Sequence, residues 1–279
     1  MSRYLAIALI CIAAASAQAA EKKVDRTFTV APGGTLTVDA DGSSVQVSGN
    51  DGNQVIVHMF SRSAEADLEK LEMDATQKGN DVNVRLKHGK RGLFSFGNWN
   101  FEEKIEVSVP RRYRVDVQTS GGGVDLRDTT GEASLRSSGG GITAKNVNGN
   151  VEARTSGGGI HMDTVRGDVD ADTSGGEVQL LRIDGKIRGN SSGGGVRCSL
   201  VGANRGIKAT TSGGGIVVMV PRGTKGSVDL STSGGGVRSE FQLAASVMKD
   251  DSIVGLLNGG GPAIYAHTSG GGVSLREQD

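Results

Sequence analysis

Few residues in this chain combine a type and a spacing that could do chemistry. The Gly-rich stretch Thr155-Ser156-Gly157-Gly158-Gly159-Ile160 could cradle a phosphate or turn around a metal ion. Calcium-binding coils of this kind place aspartates in their Gly-rich turns. Here the residue after the first Val or Ile is Asp125, Thr143, His161, Gln179, Arg197, Val217, Arg238 or Ser274, and Asp125 alone is acidic. A polysaccharide lyase or hydrolase needs convergent carboxylates on long loops. Asp163, Asp168, Asp170 and Asp172 are the acidic group to weigh, and they read as a solvated face. Ice binding would need a regular outward threonine array, and the outward positions are too mixed. His58, His88, His161 and His267 show no metal-ligand spacing. Cys198 falls among aliphatics, which reads as packing rather than reactivity. These residues supply no catalytic set, no metal site and no cofactor site.

One segment has a different character. Residues 87–101 read KHGKRGLFSFGNWNF, with Lys90 and Arg91 followed by Phe94, Phe96, Trp99 and Phe101. Basic residues next to exposed aromatics suit contact with anionic glycans, lipid headgroups or another protein. The reading to set first is that the aromatics fold back to cap the first coil, since solenoid ends must be covered.

The elements that must carry these residues are written in a repeat. The Ser of the Gly-rich hexapeptide recurs at Ser120, Ser138, Ser156, Ser174, Ser192, Ser212, Ser233 and Ser269. The first four intervals are 18 residues, and the rest are 20, 21 and 36. A fixed period of this length marks stacked units. Five residues before each serine stand Val115, Ala133, Val151, Val169, Ile187, Ile207, Val228 and Ile264. Four residues after it stand Val124, Ile142, Ile160, Val178, Val196, Ile216, Val237 and Val273. Two further on stand Leu126, Ala144, Met162, Leu180, Cys198, Val218, Ser239 and Leu275. Alternate apolar residues make two short strands per repeat, with the apolar set facing inward. The expected fold is all-β: a single-stranded parallel β-solenoid of about 18-residue coils, right-handed, with strands stacked about 4.8 Å apart.

Outward residues test this register. Lys145 should lie beside Asp163, Arg154 beside Asp172, Asp170 beside Arg188 and Lys208 beside Asp229, with Glu152 beside Asp170 as a counterexample. The coil must reverse within about four residues, so the first two glycines of each motif read as structural turns. They are Gly121 and Gly122, Gly139 and Gly140, Gly157 and Gly158, Gly175 and Gly176, Gly193 and Gly194, Gly213 and Gly214, Gly234 and Gly235, and Gly270 and Gly271. Positive φ and close backbone approach are the two reasons to expect glycine there. Glu177 replaces only a third glycine. The Thr or Ser before each motif serine, and the serine itself, should stack as hydroxyl ladders. A second column, Gly131, Gly149, Gly167, Gly185 and Gly226, marks the opposite corner.

The flanks complete the expected organisation. Arg3, the apolar run Tyr4–Ala15 and Ala17-Gln18-Ala19 read as a signal peptide over 1–19. Residues 20–279 then form one domain: irregular strands and a cap over 24–110, and repeats over 111–279. Residues 63–73 carry a helical pattern with Leu68 and Leu71 inward. Residues 241–258 read as an insertion, placed to cover Val217 and Met219. The C-terminal GGGVSLREQD offers no cap beyond a charged tail, which leaves end-to-end self-association open. Net charge is zero, with 31 basic and 31 acidic residues, so no global field favours nucleic acid.

The TSGGG[VI] repeats, the leader and the stretch IEVSVPRRYRVDV together resemble the bacterial "putative adhesin" β-strand-repeat family of unknown function, a relative of the head-GIN adhesin domain. The resemblance covers residues 24–279 and implies adhesion to a surface or partner. It carries over no binding residue. The function expected is therefore a non-enzymatic, exported envelope protein, periplasmic or secreted, with an adhesin-like scaffold that binds an envelope protein or glycan. The alternative is a carbohydrate-active β-helix enzyme.

Overall fold

Alternation of apolar and polar residues drives this chain into strands, because period two puts every apolar side chain on one face. The computed structural model describes residues 20–63, 68–89 and 102–278, and its assigned elements are all β-strands. The first are β1 (Ala20–Thr29), β2 (Thr35–Ala40), β3 (Ser44–Asn50), β4 (Gln54–Ser63), β5 (Leu71–Lys78), β6 (Asp81–His88) and β7 (Glu102–Pro110). The repeat strands follow as pairs: β8 (Arg114–Thr119) and β9 (Val124–Arg127), β10 (Ala133–Ser137) and β11 (Ile142–Asn148), β12 (Val151–Thr155) and β13 (Ile160–Arg166). Next come β14 (Val169–Thr173) and β15 (Val178–Asp184), β16 (Ile187–Ser191) and β17 (Val196–Leu200), β18 (Ile207–Thr211) and β19 (Ile216–Val220). The last six are β20 (Gly226–Thr232), β21 (Val237–Ser239), β22 (Ala244–Met248), β23 (Ser252–Leu257), β24 (Ala263–Thr268) and β25 (Val273–Glu277).

Each repeat gives one strand to each of two long sheets. One sheet runs β1-β4-β7-β3-β9-β11-β13-β15-β17-β19-β25-β21, and the other β22-β23-β20-β24-β18-β16-β14-β12-β10-β8-β2-β6-β5. The body of both is parallel. Ile142 pairs with Ile160 and Ile160 with Val178, so like residues sit on like residues. Leu126, Ala144, Met162, Leu180, Cys198, Val218 and Leu275 are all fully buried. Burying a Leu-sized side chain contributes about 1.5–3 kcal/mol, and the ladder repeats that gain at every step.

The stacking order departs from chain order at both ends. The β2–β3 coil lies between β6–β7 and β8–β9. The β24–β25 coil lies between β18–β19 and β20–β21. The cause is an antiparallel partner that takes the outer edge of each terminal coil. Strand β23 pairs antiparallel with β20, which leaves β24 only the inner edge of β20. At the other end β4 covers β7 and β5 covers β6, both antiparallel.

Several expectations change accordingly. Lys208 is not beside Asp229, since Tyr265 of the inserted coil pairs with both. The other registers hold: Lys145 with Asp163, Arg154 with Asp172, Asp170 with Arg188 and Glu152 with Asp170. The insertion does not cover Val217 and Met219. Its strands extend the sheet opposite to β19, while Val217 and Met219 stay half-buried on the outward face. It closes the C-terminal end instead, with Phe241 and Leu243 packed against the core. Of the stretch 63–73 expected to be helical, residues 64–67 lie outside the described residues, Leu68 is helical, and the two ends are taken into strands. Ser63 ends β4 opposite Ala20, and Leu71 begins β5 opposite His88. Leu68 and Leu71 are nonetheless buried. Residues 35–50, read as irregular, form an ordinary coil of the stack.

Candidate binding sites on the stack

The turn chemistry separates into three columns. None of the motif glycines has φ in the left-handed range, so positive φ is not their reason. Their reason is room. A Cβ on Gly158 would stand 2.4 Å from the backbone nitrogen of Gly141 in the preceding coil. At the third position, a Cβ on Gly159 would meet the Glu177 carbonyl oxygen at 3.0 Å, a gap that small shifts can open. Left-handed φ appears at the opposite corner, in Gly149 at 155°. It appears also in a column without glycine: Asp128 at 58°, Asn146 at 54°, Thr164 at 60° and Arg182 at 53°. Sequence reading missed that column. Asp128 and Asn146, types that tolerate this conformation, were its only signal.

The hydroxyl ladder is built by the residue before the motif serine. Thr155 Oγ1 donates to the Gly140 carbonyl at 2.7 Å, Thr173 Oγ1 to Gly158 at 2.7 Å and Ser191 Oγ to Gly176 at 2.8 Å. The motif serines themselves, Ser156 and Ser174 among them, point to solvent.

Lys90, Arg91, Phe94, Phe96, Trp99 and Phe101 lie outside the described residues. The described residues that flank them, up to Gly89 on one side and from Glu102 on the other, are held by specific contacts. Strand β6 leads in from one sheet and β7 leads out in the other. Glu103, with its side chain 4% exposed, accepts hydrogen bonds from Ser43 Oγ at 2.8 Å and Ser61 Oγ at 3.3 Å. It also meets His88 Nε2 at 2.9 Å. Lys87 Nζ donates to Asp39 Oδ1 at 2.6 Å and Asp41 Oδ1 at 3.0 Å. Burial opposes the charge on Lys87, but the bonds to Asp39 and Asp41 outweigh it, so its pKa is raised. A buried carboxylate with three partners is costly to disturb, since losing them leaves a charge without water.

A groove of about 480 Å³ lies on the outer face of the β10–β16 sheet. Arg114, Glu132, Glu152, Asp168, Asp170, Lys186 and Arg188 line it. Asp168 and Asp170 are therefore brought together here, whereas Asp172 lines a different depression beside Arg154. Glu152 accepts from Arg154 Nε at 2.7 Å and Arg136 at 2.9 Å. The bond from Arg154 acts most strongly to hold its carboxyl below the usual range; partial burial pushes the other way and is outweighed. A general acid needs the reverse, a raised pKa.

The remaining candidates have local partners. His58 bonds Asp25 at 2.6 Å, His161 bonds Gln179 at 3.2 Å and His267 bonds Ser231 at 2.9 Å. Among the described residues no group of three or more His, Cys, Asp or Glu could hold a metal ion. Cys198 is buried, and burial pushes its thiol up to about 12. Among the described residues no helix is long and apolar enough to cross a membrane.

Comparison with curated proteins gives no match. Solved structures resemble the chain along most of its length. A "putative adhesin" from Bacteroides fragilis shares 13% identity over 92% of this chain and 97% of its own, with a TM-score of 0.47. One from Parabacteroides distasonis shares 12% over the same fractions, also at 0.47. A "putative lipid binding protein" from that species shares 12% over 92% and 97%, at 0.37. A family model spans residues 33–276, from the turn before β2 into β25, and so takes in both displaced coils. The chain belongs to the Toastrack DUF4097 family.

Proposed function

We propose that this protein is a non-enzymatic, exported envelope protein whose stacked ladders present residues 87–101 to an envelope protein or glycan. The observation that carries the reading is the pair of anchors at the segment's base. His88 of one sheet meets the buried carboxylate of Glu103 from the other, and Lys87 is fixed between Asp39 and Asp41. Such a base holds the ends of a contact segment in place and lowers the ordering cost of binding. Export rests on the leader over 1–19. The enzyme alternative draws on the grooved acidic face, and the ionised state of Glu152 counts against it.

The test replaces Phe94, Phe96 and Trp99 by serine in the mature chain. Envelope fractions are passed over immobilised wild type and variant, and both proteins are melted. Loss of capture with unchanged melting is expected. A lowered melting temperature would instead assign the segment to capping the stack.

A further inference from the structure

The outer face that the displaced coil completes carries a second, separate feature. Arg188 of β16 and Lys208 of β18 are register partners on adjacent parallel strands, and both are exposed. Like charges directly opposite one another in a sheet destabilise it. Among the described residues no ion pair relieves either cation. Asp170, the register partner of Arg188 on its other side, forms none with it. Among the described residues no carboxylate of the fold neutralises this juxtaposition, so an anion from outside would complement it.

An aromatic surface adjoins the cations because of the interleaving. Tyr265 of β24 is the partner of Lys208, and its half-buried ring faces outward. Lys208 Nζ stands 5.8 Å from the ring centroid, and the His267 ring stacks beside it at 6.5 Å. Chain order would have placed Asp229 next to Lys208 and neutralised it. The displaced coil sets a ring there and moves Asp229 one strand away. Thr210 and Ser231 flank His267; Thr210 Oγ1 donates to Asn190 Oδ1 at 2.5 Å and keeps its acceptor lone pairs, and Ser231 Oγ bonds His267 Nδ1 at 2.9 Å, which leaves Nε2 outward.

We infer that Arg188, Lys208, Tyr265 and His267 form a binding site for an acidic polysaccharide. The carboxylate of one sugar lies against Arg188 and Lys208. The apolar face of the neighbouring sugar stacks on the face of Tyr265 that Lys208 leaves free, with its hydroxyls donating to Thr210 Oγ1 and meeting His267 Nε2. An aromatic ring flanked by hydrogen-bonding groups suits a pyranose, which has both an apolar face and a hydroxyl rim. The cations select the acidic kind. Asp170 and Asp229 bound the site at either end and limit it to a short stretch of chain. The site rests on the reading of the protein as a binding scaffold, and it does not involve residues 87–101.

The experiment measures retention of the mature protein on immobilised polygalacturonate and on dextran. Retention on polygalacturonate alone is expected, weakened by salt as exposed charges are screened. Tyr265→Ala should weaken it about tenfold or more, and the double variant Arg188→Glu with Lys208→Glu should abolish it. Tyr265 and Lys208 point outward, so Tyr265→Ala and Lys208→Gln should melt near the wild-type value; Lys208→Gln, expected to weaken retention, replaces the double variant if two added glutamates in line with Asp170 destabilise the sheet. No retention on polygalacturonate overturns the inference. So does equal retention on dextran, or retention that Tyr265→Ala leaves unchanged, which would mark a bare cationic patch. The serine variant of Phe94, Phe96 and Trp99 should still be retained, which separates failure of this site from failure of the segment.

Discussion

Thr232 donates its hydroxyl proton to the carbonyl of Gly271 at 2.6 Å, although Gly271 lies 39 residues later in the chain. Thr268 in turn donates to Gly214 at 2.6 Å. The two bonds together place the last coil between two earlier ones. Both displaced coils are hydrogen-bonded on both sides, so neither forms a free end of the stack. Solenoids must protect their ends, and this one uses antiparallel strands to do so.

Interleaving can be read by cross-linking. Thr210 pairs with His267, and His267 pairs with Ser231. Neighbouring strands are about 4.8 Å apart, within disulfide reach, while two steps exceed it. Thr210→Cys with His267→Cys should therefore oxidise to an internal disulfide, and Thr210→Cys with Ser231→Cys should not. Mobility on non-reducing gels checks this, and the opposite result would restore chain-order stacking.

The hydroxyl ladder contributes at every rung. Thr173→Val keeps the shape but leaves the Gly158 carbonyl without its donor. The expected cost is about 1–2 kcal/mol by denaturant unfolding. Thr173→Ser should recover most of it, since Ser137 and Ser191 make the same bond.

Gly158 and Gly159 are neighbours with different tolerances. Gly158→Ala would drive a methyl into the Gly141 backbone and should cost about 3 kcal/mol, toward the upper end for overpacking. Gly159→Ala should cost less than about 1 kcal/mol, because Glu177 already occupies the equivalent place. Equal losses at the two positions would remove close approach as the reason for the motif.

Cys198 should be inert in the folded protein. A thiol-disulfide reagent should react with it only at the rate of unfolding, and rapidly in denaturant. Its folded pKa is raised, to about 12 from 9.0. Above pH 9 the unfolded chain therefore releases this proton while the folded one retains it. The Cys198 contribution to stability should fall as pH rises through 9 toward 12. Cys198→Ala should flatten that part of the pH profile.

The sequence by itself determined what depends on one chain segment and its own pattern. Val, Ile and Leu at alternate positions specified strands and their inward faces. The serine spacing specified which residues pair through the parallel body, from Val115 to Ile207 on one sheet. The Thr-Ser-Gly-Gly-Gly corner was legible as structure, though its glycines supply room and not positive φ. Only the tertiary structure decided the order of the end coils. The aliphatic ladder carries no address: Ile207 meets Ile264 as readily as Val228, so apolar columns cannot rank neighbours. What ranks them is the occupied outer edge of β20, and that depends on a hairpin far from the coil it displaces. One residue did carry a hint. Ser239 is the polar member of an inward column, and it stands in β21, the last strand of its sheet, whereas Leu275 is buried between β19 and β21. Spacing sets Arg188 beside Lys208, but it could not place Tyr265 against them, for the same reason. The Arg188–Lys208–Tyr265 face exists because a coil late in the chain enters the stack one place early.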